Sequence, residues 1–267
     1  MKVDFTFKPV YDISDLLQIM SILRGEDGCM WDREQDHHSI RNNFIEETYE
    51  VVEAIDEEDP VLLQEELGDV LLQVVFHAQM EKEKQVFDFH NVCDGICKKL
   101  IHRHPHVFGS VEVTSSGQVL DNWDKIKKEE KHQQTAASTL ESVSRALPAL
   151  IRSCKVQKRA AKTGFEYPNV QDALGDLKSE LAELEEAMAK EDGDNITEEL
   201  GDLLFSVVNV ARMLGRDPEE ALYRSTDKFI RRFSTVEEIA INNNIDLQNC
   251  TIDELNRIWK NAKEKKM

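Results

Sequence analysis

The chain has 267 residues, 40% of them hydrophobic and 32% charged, a composition of folded globular proteins rather than disordered ones. Acidic residues outnumber basic ones 52 to 33, and the net charge of −19 repels phosphate backbones, which argues against duplex DNA or RNA as a partner. With 11 Gly and 6 Pro the chain is poor in tight-turn residues for an all-β protein, so helices are expected.

Met1–Pro9 alternates polar and apolar residues and lacks the continuous apolar core of a secretory leader. Apolar residues then recur at three- and four-residue spacing: Ile13-Leu16-Leu17-Met20-Leu23, Ile45-Tyr49-Val52-Ile55, Leu174-Leu177-Leu181-Leu184 and Phe229-Phe233-Val236-Ile239. Asp59-Pro60, Asp192-Gly193-Asp194 and Gly215-Arg216-Asp217-Pro218 punctuate them, with Asp217 as a helix cap and Pro218 in the first turn. Val111-Glu112-Val113-Thr114 reads as a short extended piece. The polar stretch His132–Ser144 reads as a linker, giving domains 1–131 and 145–267. Cys29, Cys93, Cys97, Cys154 and Cys250 are odd in number and scattered, as expected of reduced thiols. No apolar run approaches the ~20 residues of a membrane span. The expectation is a soluble cytoplasmic protein without a membrane partner.

The two halves repeat each other. Glu47, Glu50, Glu66 and Asp69 return as Glu180, Glu183, Glu199 and Asp202, all 133 positions later, together with Leu67/Leu200, Gly68/Gly201, Val74/Val207 and Ala78/Ala211. Only two copies occur and each is long, so this is a duplicated helical module and not a solenoid.

Residues three apart share a helix face, so each module carries two carboxylate pairs on successive helices joined by a short turn. The second helix of each pair is apolar on nearly every side, around Glu66 and Asp69 and again around Glu199 and Asp202. It is therefore expected to be buried, with acids that need compensation. A hard divalent cation supplies it. Mg²⁺ takes oxygen ligands and bridges to phosphates, with Mn²⁺ as a substitute. A di-iron site would need Glu-x-x-His, and the fourth position here is Asp. Asn209, seven residues after Asp202, falls near the same face. Lys228 and Arg232 are four apart, as are Lys99 and Arg103, and can hold outer phosphates or serve as ordinary surface bases. Trp259 and Trp123 can stack on a base or fill a helix contact.

Glu-x-x-Glu followed by Glu-x-x-Asp, twice in one chain and preceded in the first copy by Glu46, resembles the MazG nucleoside triphosphate pyrophosphohydrolases. Supporting stretches are Gly28-Cys29-Met30-Trp31-Asp32, Arg103-His104-Pro105-His106-Val107-Phe108, Leu147-Pro148-Ala149-Leu150 and Gly164-Phe165-Glu166-Tyr167. The resemblance implies an all-α fold of tandem four-helix-bundle modules, a homodimer, and Mg²⁺ held between helices. It implies hydrolysis of nucleoside triphosphates between the α and β phosphates to monophosphate and pyrophosphate, with broad housecleaning specificity. By the same match Glu180, Glu183, Glu199 and Asp202 are metal ligands and catalytic acids, with Glu198 as a further proton acceptor. Glu47, Glu50, Glu66 and Asp69 form the first module's metal set. Lys228, Arg232, Trp259 and Lys263 are substrate-binding residues.

The chain departs from the better-known bacterial members. They place a Glu before the first ligand of the second module and a Lys three positions earlier, where this chain has Ser179 and Asp176; their Cys-Pro-Trp-Asp is Cys-Met-Trp-Asp here. A second reading is a nucleotide-binding regulatory or interaction protein in which one or both modules do not hydrolyse. A role against stringent-response nucleotides shares the same diphosphate chemistry.

Overall fold

Short acidic side chains set the helix starts. Asp12 accepts from the amides of Ser14 and Asp15, Asp59 from those of Val61 and Leu62, and Asp217 from those of Glu219 and Glu220, the last two with Pro at the first helical position. The computed structural model describes residues 3–130 and 135–264. The chain divides into two compact units, Met1–Lys127 and Lys128–Met267. Helices α1 (Ile13–Leu23), α2 (Met30–Glu34), α3 (Arg41–Asp56), α4 (Pro60–Glu83), α5 (Phe89–Arg103), α6 (Pro105–Phe108) and α7 (Ser116–Glu130) come first. They are followed by α8 (Ala136–Glu141), α9 (Ala149–Ala161), α10 (Val170–Ala189), α11 (Gly193–Met213), α12 (Pro218–Asn242) and α13 (Ile252–Glu264). The fold is all-α: no strand occurs among the described residues, and Val111–Thr114 is irregular.

The sequence repeat is a structural repeat. The α3–α4 and α10–α11 hairpins turn through Glu58 and Glu191, both left-handed at φ 55° and 56°. In each, the capping Asp donates its amide to a buried alanine's carbonyl: Asp59 to Ala54 at 3.1 Å and Asp192 to Ala187 at 3.4 Å. Both alanines are 1% exposed, and a small side chain there lets the helices close at the turn.

In the first unit α1 packs on α4 through Met20, Ile40, Val75, Phe76 and Met80. Arg24, just past α1, spans this core's edge. Its guanidinium lies 5.3 Å from the Phe76 ring centre, pairs with Glu83 through two bonds of 2.8 Å, and donates to the carbonyls of Asp32 and Gln35. Arg24→Ala strips the carbonyls at α2 of their donors and uncovers Phe76. Expected is a loss of about 2–3 kcal/mol in urea unfolding, with the midpoint moved and the slope kept.

The second unit has a core of Val236, Ile258 and Ala262 between α12 and α13. Of the expected linker, residues 132–134 lie outside the described residues, while Ala136–Glu141 is helical. Arg159 ties that helix to α9 by donating to the Thr139 carbonyl and the Ser142 hydroxyl. This part of the stretch is a packed element of the second unit, because the half-buried Arg159 supplies the contact that its own few apolar residues cannot.

One expectation is corrected. Helices α4 and α11 are not buried all round within a single chain: Leu67 is 51%, Leu71 38%, Leu200 47% and Leu204 51% exposed. The apolar wheel read from sequence is real, but only one flank of it meets the chain's own core.

Candidate active site

Three of the four acids expected in each set come together. Oxygens of Glu47, Glu66 and Asp69 lie within 4.8 Å of one another, and so do those of Glu180, Glu199 and Asp202. Glu50 and Glu183 are outside these groups: the charge of Glu50 acts on Glu47, and Glu183 accepts from the Ser179 hydroxyl at 3.1 Å. Three carboxylates this close repel each other. Partial withdrawal from water, then the charges of Glu183, Asp176, Asp202 and Glu199, push Glu180 above the usual carboxylate range. Glu199 is raised by the same loss of water and by Glu183 and Asp202. In the first unit Glu47 and Glu66 are raised likewise, first by desolvation and then by neighbouring acids. A cation at each cluster removes the conflict, and an all-oxygen donor set suits a hard divalent ion.

Beside the second cluster lies a cavity of about 450 Å³. Its walls come from α8 and α9 (Leu140, Gln157), the following loop (Phe165, Tyr167) and α10 and α11 (Asp176, Asn209). The polar groups there are held by neighbours. Gln157, 7% exposed, donates its amide to the Phe205 carbonyl at 2.8 Å, leaving its buried Oε1 without a partner. Arg212 is clamped by both Glu166 oxygens at 2.6 Å and donates to Asn209 Oδ1 at 2.6 Å, which turns the Asn209 amide nitrogen away from it. The Glu166 carboxyl is correspondingly held below its ordinary value, chiefly by the bond from Arg212.

The first module differs at this place. The 133-residue offset carries Asn209 to Phe76, Ser206 to Gln73 and Arg212 to Gln79. Phe76 is 5% exposed in the core with Met20 and lies beneath Arg24. An aromatic side chain thus occupies the position from which Asn209 lines the second module's cavity.

The other residues singled out from sequence sit on different helices. Lys228 is exposed and Arg232 half-buried on α12; Lys263, on α13, lies 5.9 Å over the Trp259 ring. Trp259 is half-buried against the Val236–Ile258–Ala262 core, with its ring 5.2 Å from that of Phe229, so packing occupies it, and it is not among the cavity-lining residues. Trp123 meets the Arg103 guanidinium at 5.9 Å. Glu198 is exposed beside Glu199. Sequence reasoning passed over Gln157, Ser206 and Arg212 as site residues. The signal was spacing: Ser206 is one helical turn after Asp202, and Arg212 three residues after Asn209.

Two helical modules, each bringing three carboxylates within 4.8 Å of one another, and a cavity lined by Asp176 and Ser206, one helical turn from the second group, define a tandem all-α acid-cluster class. The profile of the MazG nucleotide pyrophosphohydrolase domain matches residues 35–108 and 169–236, the two hairpin regions. The chain is 41% identical to the nucleoside triphosphate pyrophosphohydrolase/pyrophosphatase MazG of Thermotoga maritima, over 93% of this chain and 94% of that protein. It is 42% identical to the nucleoside triphosphate pyrophosphohydrolase of Escherichia coli K12, over 96% of this chain and 98% of that one. An uncharacterised Bacillus subtilis protein, YabN, is 43% identical over 95% of this chain and 52% of its own length. The chain belongs to the MazG nucleotide pyrophosphohydrolase family.

Proposed function

We propose that this chain is a Mg²⁺-dependent nucleoside triphosphate pyrophosphohydrolase, with Mn²⁺ as a substitute ion, and that its second module is the catalyst. One observation carries the reading: in the second module the acid cluster opens beside a cavity of about 450 Å³, within the range of small-molecule sites, on the same two helices. Glu180, Glu199 and Asp202, with Glu183 beside them, hold the ion. Bound there, Mg²⁺ supplies the charge that joins carboxylates to a phosphate tail and acidifies the attacking water. One of these acids, or exposed Glu198, takes the water's proton. Lys228, Arg232 and Lys263 hold outer phosphates, while Asn209 and the exposed ring of Phe165 meet the base. Cleavage falls between the α and β phosphates, giving a monophosphate and pyrophosphate. Base selection is broad, since the cavity is mostly apolar and offers both a donor and an acceptor. This suits a cytoplasmic housecleaning role.

The first module fits the second reading better. It keeps Glu47, Glu66 and Asp69 for an ion but has Phe76 where the nucleoside would sit, so it does not hydrolyse nucleotides. A homodimer is supported by the exposed apolar faces of α4 and α11, which need a cover. No helix among the described residues is long and apolar enough to cross a membrane.

Product analysis tests the reaction. Purified protein with Mg²⁺ and each NTP should yield equal amounts of monophosphate and pyrophosphate, and excess EDTA should abolish turnover until Mg²⁺ is restored. Orthophosphate with diphosphate as the products would contradict the mechanism.

A further inference from the structure

Between the acid cluster and the cavity of the second module stands a carboxylate to which the proposed chemistry gives no task. Asp176 lies four residues before Glu180 on α10, and Ser206 four after Asp202 on α11, so each is one helical turn from a cluster acid and on the same face. The two meet: the Ser206 hydroxyl donates to Asp176 Oδ2 at 2.9 Å, and Ser206 itself is 5% exposed. The Tyr167 phenol stands beside the same carboxylate, which raises its pKa. All three residues line the cavity. Asp176 is thus held by Ser206 and flanked by Tyr167 at the junction where phosphate-side and base-side walls join.

A carboxylate offers about four acceptor positions, and the Ser206 hydroxyl uses one of them. The remaining ones need donors. A phosphate has none to give and is repelled by the charge. Asp176 also stands outside the group whose oxygens lie within 4.8 Å of one another, so it is not one of the converged metal ligands. A nucleotide with its phosphate tail at Glu199 and its base beside Phe165 and Asn209 must lay its sugar across the junction. The sugar is neutral and carries hydroxyl donors, so it matches a pre-held acceptor.

We propose that Asp176 reads the sugar of the substrate, accepting from the ribose hydroxyls and giving the second module a preference for ribonucleotides over hydroxyl-deficient analogues. This rests on the reading of the cavity as the nucleoside site.

The test compares kcat/KM for ATP, dATP and 2′,3′-dideoxy-ATP with Mg²⁺, in the full-length wild type and in Asp176→Asn and Asp176→Ala. A charge-assisted hydrogen bond predicts that wild type favours ATP over the dideoxy analogue by about 10-fold or more, mostly in KM. The ratio should collapse to about 2-fold in Asp176→Ala and fall between the two in Asp176→Asn, which keeps a neutral acceptor. Equal use of ATP and its dideoxy analogue by wild type overturns the proposal. So does a ratio unchanged in both variants. Equal loss on all three substrates, with a shifted pH profile, assigns Asp176 to the reacting atoms and overturns sugar reading while the nucleotidase reading stands. Absence of AMP and pyrophosphate from wild type defeats the nucleotidase reading itself, and this proposal with it.

Discussion

Glu199→Gln combined with Asp202→Asn should reduce NTP hydrolysis by about 10³-fold or more, since two of the three converged carboxylates lose their charge and with it the hold on the proposed ion. The fold should survive. Both groups stand in mutual repulsion, and desolvation together with Glu183 and Asp202 already pushes Glu199 toward its neutral form. Removing the charge relieves that conflict, so the thermal midpoint of the metal-free variant should equal or exceed that of wild type. The matching pair in the first module, Glu66→Gln with Asp69→Asn, should cost less than about 3-fold in the same assay. Reversal of this contrast would make the first module the catalyst. A drop in the thermal midpoint of the Glu199/Asp202 variant would mean that the acids support the fold rather than the chemistry.

Asn209→Phe should have the second-largest effect. It places in α11 the residue that α4 carries at the same register, Phe76, and so fills the cavity with a ring. It also removes the acceptor that Arg212 uses at 2.6 Å. Expected is a fall of about 10²-fold in kcat/KM, carried mainly by KM, because lost nucleoside contacts weaken ground and transition states alike. Overpacking costs about 1–3 kcal/mol, so circular dichroism should still show a helical fold. Unaltered KM for every triphosphate would show that the cavity is not where the nucleoside binds.

These two variants separate requirements that the modules share unequally. Both modules possess an acid cluster on a helical hairpin with the same turn, down to the left-handed Glu58 and Glu191 and the buried Ala54 and Ala187. They part company further along the second helix. There Phe76 joins Met20 and Arg24 in the first module, whereas Asn209 and Arg212 keep a cavity open in the second. The two copies share the acid cluster and differ in the part proposed to meet a nucleoside.

Much of this was legible before any coordinates. The cap Asp217, the breaks at Asp59-Pro60 and Asp192-Gly193-Asp194, the all-α class, the repeat and the pairing of acids on helix faces follow from spacing, because a helix fixes which residues share a face within one or two turns; that three of the four acids in each set converge is seen only in the structure. The cavity did not follow. Its walls bring Leu140, Gln157, Phe165, Asp176 and Asn209 together from five segments, and no local period encodes which segments meet. The stretch read as a linker became partly a helix for the same reason: Arg159, about 20 residues away, supplies its anchor. The apolar wheels of α4 and α11 show where the line runs. Sequence sets how many sides of a helix avoid water, since that is chemistry carried residue by residue. Only tertiary structure decides which side the chain itself covers, because burial depends on partners that are distant along the chain.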